Sequence, residues 1–221
     1  MDTTARGNPV APAGAALPYV FVIGFNKTGT TSIDGFFRAN GFPSIHWGNN
    51  RLAAHMFANC LQGRRALEGY DQSFRVFSDM VYRTRRAWFE GNSLFRTIDA
   101  DYPGSYFLYN TRPMEDWLAS REKHRGAMVG ESLLGFYLRY LKTQDIQVVR
   151  DHWRRTREHF EQEIRAYFSG NPRFMEISID DEDFASKVSS FIGVPLDGAH
   201  WVARNVTPGW LRAPAASVTD R

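Results

Sequence analysis

The chain has 221 residues, 43% hydrophobic and 23% charged, which suits one well-packed domain and leaves little room for a second of full size. With 27 basic and 24 acidic residues the formal net charge is only +3, far from the one-faced basic excess of a nucleic-acid binder. A single cysteine, Cys60, excludes an intrachain disulfide framework and fits a reducing, cytoplasmic setting, and no uninterrupted apolar run reaches transmembrane length.

Residues 1–18 are rich in Ala, Pro, Gly and Thr and lack an apolar core run, so they read as a disordered leader before a single domain over 19–221. Tyr19-Val-Phe-Val-Ile23 is a continuous apolar run, the pattern of a strand buried on both faces. A helix pattern follows Gly24, with Ile33, Phe36 and Phe37 on one face and Gly41 as its stop. Phe74–Phe77 is a weaker strand pattern ending at Ser78-Asp79. Ser105–Tyr109 is a clear strand running into Arg112-Pro113, where Pro113 suits a helix start and Glu115 and Asp116 favour its first turn. From Glu131 the spacing predicts helix for a long way, with apolar steps continuing through Ile146, Val149, Trp153, Phe160, Ile164 and Tyr167. Gly170-Asn-Pro172 closes it. Phe174–Ile179 reads as a strand and Phe184–Ile192 as a short helix stopped by Gly193. Strands alternating with helices imply an α/β three-layer sandwich around a mainly parallel sheet.

The chemistry concentrates in Gly24-Phe-Asn-Lys-Thr-Gly-Thr-Thr-Ser32, between the first strand and its helix. Glycines let successive N–H groups curl inward, and the helix N-terminus adds free donors and partial positive charge, so an anion of phosphate type is the expected guest. Asn26, Lys27, Thr28, Gly29, Thr30, Thr31 and Ser32 are the candidate binding residues. A Walker A loop would place lysine directly after its last glycine. Here Thr30 follows Gly29 and the lysine lies at Lys27, where it can reach the bridging oxygen of a leaving phosphate instead.

The loop resembles the donor-binding loop of the sulfotransferase family, which holds the 5′-phosphosulfate of PAPS (3′-phosphoadenosine 5′-phosphosulfate). A second motif of that family sets Arg, then Ser eight residues later, against the ribose 3′-phosphate. Phe107 to Ser120 is similar to it and gives Arg112 and Ser120. The stretch from Trp153 to Asn205 looks like the C-terminal part of bacterial members. Many relatives close the site with Arg-Lys-Gly near the C-terminus. This chain has Ala203-Arg-Asn-Val-Thr-Pro-Gly-Trp210 there, so Arg204 or Asn205 would have to substitute.

Transfer to an alcohol needs a proton acceptor. Asp79, at the end of a strand pattern where relatives place His or a carboxylate, and His46 are the candidates, and both stay open. The remaining histidines show no metal-ligand spacing. The resemblance implies sulfuryl transfer from PAPS to a hydroxyl or amine of a small-molecule, sugar or lipid acceptor, releasing PAP (3′-phosphoadenosine 5′-phosphate), with no metal. Two alternatives are a kinase with a degenerate loop, against which the lysine position argues, and a nucleotide-binding module without catalysis.

Overall fold

The apolar run from Tyr19 supplies the centre of the sheet. In the computed structural model, which describes residues 17–125 and 130–202, it forms strand β1 (Val20–Val22) with every residue buried. Helix α1 (Thr30–Ala39) leads to β2 (Ser44–His46), and α2 (Arg51–Leu61) to β3 (Val76–Ser78). A short antiparallel hairpin, β4 (Val81–Arg83) and β5 (Trp88–Glu90), stands apart from the main sheet and precedes α3 (Phe95–Asp101). Strand β6 (Tyr106–Thr111) is followed by α4 (Met114–Glu122), α5 (Leu133–Tyr140), α6 (Ile146–Tyr167), β7 (Phe174–Ser178) and α7 (Phe184–Ile192).

The main sheet is parallel throughout, in the order β2-β3-β1-β6-β7. Alternation along β1 divides the core into two clusters, as the period of two in a strand requires. Val20 and Val22 face α1 and α7, where they meet Ile33, Phe36, Phe37, Phe184 and Val188. Phe21 and Ile23 face the other side, with Phe77, Phe107, Leu52, Phe95, Trp117 and Trp153 beneath α2 to α6. Each fully buried side chain of this size contributes about 1.5–3 kcal/mol through water exclusion. The three-layer α/β sandwich expected from the alternating pattern is therefore the fold.

Two expectations change. The long helical pattern from Glu131 is two helices, because the chain turns at Lys142 (φ 52°) and restarts with Asp145, whose carboxylate accepts from Gln147 N–H at 2.8 Å. Ile146 and Tyr167, read among the apolar steps, stand at the two ends of the second helix and are 45% and 41% exposed. The strands β2, β4 and β5 are three residues each, too short to show a period in the sequence. The leader, apart from Leu17 and Pro18, and the closing segment with Arg204 and Asn205 lie outside the described residues. No described helix is long and apolar enough to cross a membrane.

The connection from β1 leads to β2 on one side of the sheet, and the path from β3 crosses to β6 on the other. This makes the carboxyl end of β1 a topological switch point, the place where open α/β sheets bind ligands.

Candidate active site

The loop after β1 is shaped by close packing against β6. Gly24 N–H donates to Asn110 Oδ1 at 3.0 Å, and a Cβ at Gly24 would lie 2.2 Å from that oxygen, so no larger residue fits. The Asn110 amide donates onward to the Thr28 carbonyl (2.8 Å) and the Thr28 hydroxyl oxygen (2.7 Å). On the other flank, Trp117 Nε1–H from α4 donates to the Asn26 carbonyl at 3.0 Å, and Arg121 Nη1–H donates to Asn26 Oδ1 at 3.0 Å. Between these two clamps Lys27 adopts φ 71°, a left-handed conformation that costs a non-glycine residue about 1–2 kcal/mol. Gly29, at φ 87°, then opens α1, whose first N–H groups have no partner within the helix.

A cavity of about 250 Å³ opens above this loop. Asn26, Lys27, Gly29, Thr30, Thr31 and Ser32 line it from the loop and α1, Arg112 and Ser120 from the exit of β6 and from α4, and His46 and Asp79 from the ends of β2 and β3. Thr28 departs from its expected place. It is buried, with its hydroxyl bonded to the Phe25 carbonyl and to Asn110, so it holds the loop's shape and does not face the cavity.

Arg112 follows β6 and is only 8% exposed, yet it has no ion pair among the described residues, and its Nε lacks a hydrogen-bond partner there. A buried guanidinium is costly unless anionic groups complete it. Burial also pulls the Lys27 amine below its usual value; Asp79 opposes that shift and Arg112 adds to it.

Parallel pairing of β2 and β3 sets His46 opposite Ser78, which brings its ring next to Asp79. His46 Nε2 lies 3.6 Å from Asp79 Oδ2 and 3.4 Å from Thr31 Oγ1, while Nδ1 is 3.1 Å from Ser78 Oγ. Asp79 itself is at φ 51°, in a tight turn where Val81 N–H donates to the Asp79 carbonyl at 2.7 Å. Burial raises the Asp79 carboxyl above the ordinary range, and the charges of His46, Lys27 and Arg121 only partly offset this. A carboxylate so placed is a better proton acceptor than a solvated one.

The cavity also holds residues that sequence reasoning did not select: Trp47, His124, Ile179, Asp180 and Trp201. His124 is held near pH 4, mainly by burial and then by the nearby charges of Lys27, Arg83 and Arg121, so its imidazole is neutral at pH 7. It lies two residues beyond the end of α4, so a helical step from Ser120 does not place it, and nothing in the local sequence pattern singled it out. Among the described residues no group of three or more His, Cys, Asp or Glu is arranged to hold a metal ion.

Fold and cavity together define an α/β protein whose first strand runs into a loop and helix start beneath a cavity lined by Lys27 and Arg112. The sulfotransferase domain family matches residues 19–187, most of the chain, and the chain belongs to that family of transferases. No curated protein sequence matches it. Among solved structures, a gluconokinase from Sinorhizobium meliloti 1021 is similar at a TM-score of 0.41 and 12% identity, over 80% of this chain and 92% of that one.

Proposed function

We propose that the protein transfers a sulfuryl group from PAPS to a hydroxyl or amine of a small-molecule, sugar or lipid acceptor by in-line displacement, releasing PAP. One observation carries the reading. Two cationic sites far apart in sequence, Lys27 in the loop and Arg112 with Ser120 beyond β6, line one cavity, and the Asp79–His46 pair stands in the same cavity. That donor set fits a ligand with anionic groups at two positions, as the 5′-phosphosulfate and 3′-phosphate of PAPS require. PAPS supplies a sulfuryl group already activated by attachment to a phosphate.

Lys27 and the N–H groups at the start of α1 stabilise negative charge on the departing phosphate oxygen. Arg112, with Ser120, grips the 3′-phosphate, a task for which the guanidinium fork suits better than an ammonium. Asp79 takes the proton of the acceptor as its oxygen or nitrogen bonds to sulfur, and His46 Nε2, 3.6 Å away, orients that carboxylate and shares the proton. Lys27 and Arg112 provide the positive field, so this chemistry calls for no metal.

The test is donor choice. PAP should raise the melting temperature without metal, and by more than ATP with Mg²⁺ at equal concentration. A larger shift with ATP and Mg²⁺ would replace this reading with a kinase. Transfer from PAPS to a panel of hydroxylated acceptors then measures the activity itself.

A further inference from the structure

Arg121 is a charged side chain in the middle of an apolar region. It is 2% exposed, and its guanidinium carbon sits 4.9 Å from the ring centres of Trp117 and Trp153, 5.7 Å from Trp88 and 5.8 Å from Tyr137. Four rings drawn from β5, α4, α5 and α6 therefore enclose one cation. The carboxylate paired with it is Glu90, whose Oε1 lies 3.8 Å from Nη1 and is itself fixed by Trp88 Nε1–H at 2.8 Å, and the charge of Asp79 acts on it as well. A weak ion pair and aromatic faces compensate poorly for taking a guanidinium out of water, and Arg121 Nε and Glu90 Oε2 have no hydrogen-bond partner among the described residues. Packing alone would be served at lower cost by an apolar side chain of the same size.

What the arginine reaches is Asn26 Oδ1, at 3.0 Å, the residue before Lys27. Trp117, one turn earlier on the same helix, holds the carbonyl of that same asparagine. The peptide entering Lys27 is thus gripped at both its side chain and its backbone, on the side where the left-handed lysine must be prevented from relaxing. We infer that Arg121 is a positioning residue for the reaction: it fixes Asn26 through the boxed guanidinium and so keeps Lys27 turned toward the leaving oxygen. The part concerning the leaving group rests on the function proposed above. The part concerning the loop's shape does not.

Three variants of the full chain test this: Arg121→Lys, which keeps charge beside Glu90 but loses the fork, Asn26→Ala, which removes the acceptor, and the two combined. Hydrogen–deuterium exchange of the 24–32 segment reads loop order without any ligand, and kcat and KM for PAPS read the chemistry. Each single change should speed exchange of the loop amides while leaving those of β6 unchanged. Each should lower kcat by about tenfold to a hundredfold, as displacement of a group by about 1 Å does, with KM for PAPS within about threefold. The double variant should be no slower than the worse single one, because both act through one contact. Unchanged loop exchange in Arg121→Lys, or losses in kcat that multiply in the double variant, would overturn the inference. If Arg121→Lys does not fold, Asn26→Ala carries the exchange comparison alone, and unchanged exchange there overturns it equally. A wild-type protein that transfers nothing from PAPS would remove the sulfotransferase reading, while the exchange comparison still decides the role of Arg121.

Discussion

The two walls of the cavity are held by different means. On the donor side, the loop from Gly24 to Ser32 is tied from β6 through Asn110 and from α4 through Trp117 and Arg121, all buried contacts over long sequence separations. On the opposite side, His46, Trp47 and Asp79 project from the ends of three-residue strands, and the backbone there turns through positive φ at Trp47, Asn49, Asn50 and Asp79. The first wall is cross-braced by side chains chosen for it. The second is set by where short strands stop and by fewer, only partly buried bonds, from His46 to Ser78 and from Asn50 to Trp47 and the Arg83 backbone, so changes in its turns can re-aim its residues without disturbing the sheet. Such a division suits a protein that binds a constant donor and a variable acceptor.

Three experiments would break or sharpen that contrast. The largest effect is expected at the braced wall: Lys27→Ala should lower kcat by about 10²–10³, the usual loss for one charge-stabilising donor, with much less effect on PAP affinity. Turnover at the wild-type rate would remove Lys27 from the mechanism. Next, Arg112→Ala should weaken PAP by about tenfold to a hundredfold, as loss of a charge-assisted buried contact does, and leave a nucleotide lacking the 3′-phosphate nearly unaffected. Calorimetric titration of both nucleotides decides it, and equal weakening would make Arg112 a structural residue.

The smallest effect concerns pH. Asp79 must be ionised to accept a proton, and burial raises its pKa, so kcat/KM should climb through a value above the ordinary carboxylate range. Lys27 must stay protonated, and burial lowers its pKa, so the alkaline fall should come below the value of a free lysine. The bell is therefore narrower on both sides than free groups would give. Asp79→Asn should flatten the acid limb of that profile with donor affinity intact. If transfer and its acid limb survive that change and are lost in His46→Ala, the base is His46.

The same contrast explains what the sequence disclosed. The donor wall is contiguous: a buried strand, glycines and a Thr-Thr-Ser run at a helix start occupy neighbouring positions, and each has a local physical meaning. Arg112 and Ser120 came from the resemblance to a sulfotransferase motif, and a strand exit followed by a helical spacing makes that pairing physically sensible. The inward turn of Thr28 was not legible, since Asn110, 82 positions away, joins the Phe25 carbonyl in holding its hydroxyl. Trp47, Asp180 and Trp201 reach the cavity through strand register and the packing of α7, which leave no trace in local periodicity. Arg121 gave no signal either, because a charge within a helical stretch reads as a solvated face until its neighbours Trp88, Tyr137 and Trp153 arrive from other elements. The break between α5 and α6 hid in the same way: Lys142 is neither Gly nor Pro, yet it takes the left-handed turn.

Trp201 stacks on Phe184 with ring centres 3.8 Å apart and an angle of 11° between the planes, and it forms part of the cavity wall together with Trp47. Trp117 and Trp153, each 1% exposed, lie deep around the guanidinium. Of the six tryptophans, Trp47 and Trp201 thus meet whatever enters, while Trp117 and Trp153 are shielded from it. Near-ultraviolet emission of the unlabelled protein should accordingly contain a component that changes with occupancy, and the Trp47→Phe and Trp201→Phe variants would assign that component to one wall or the other.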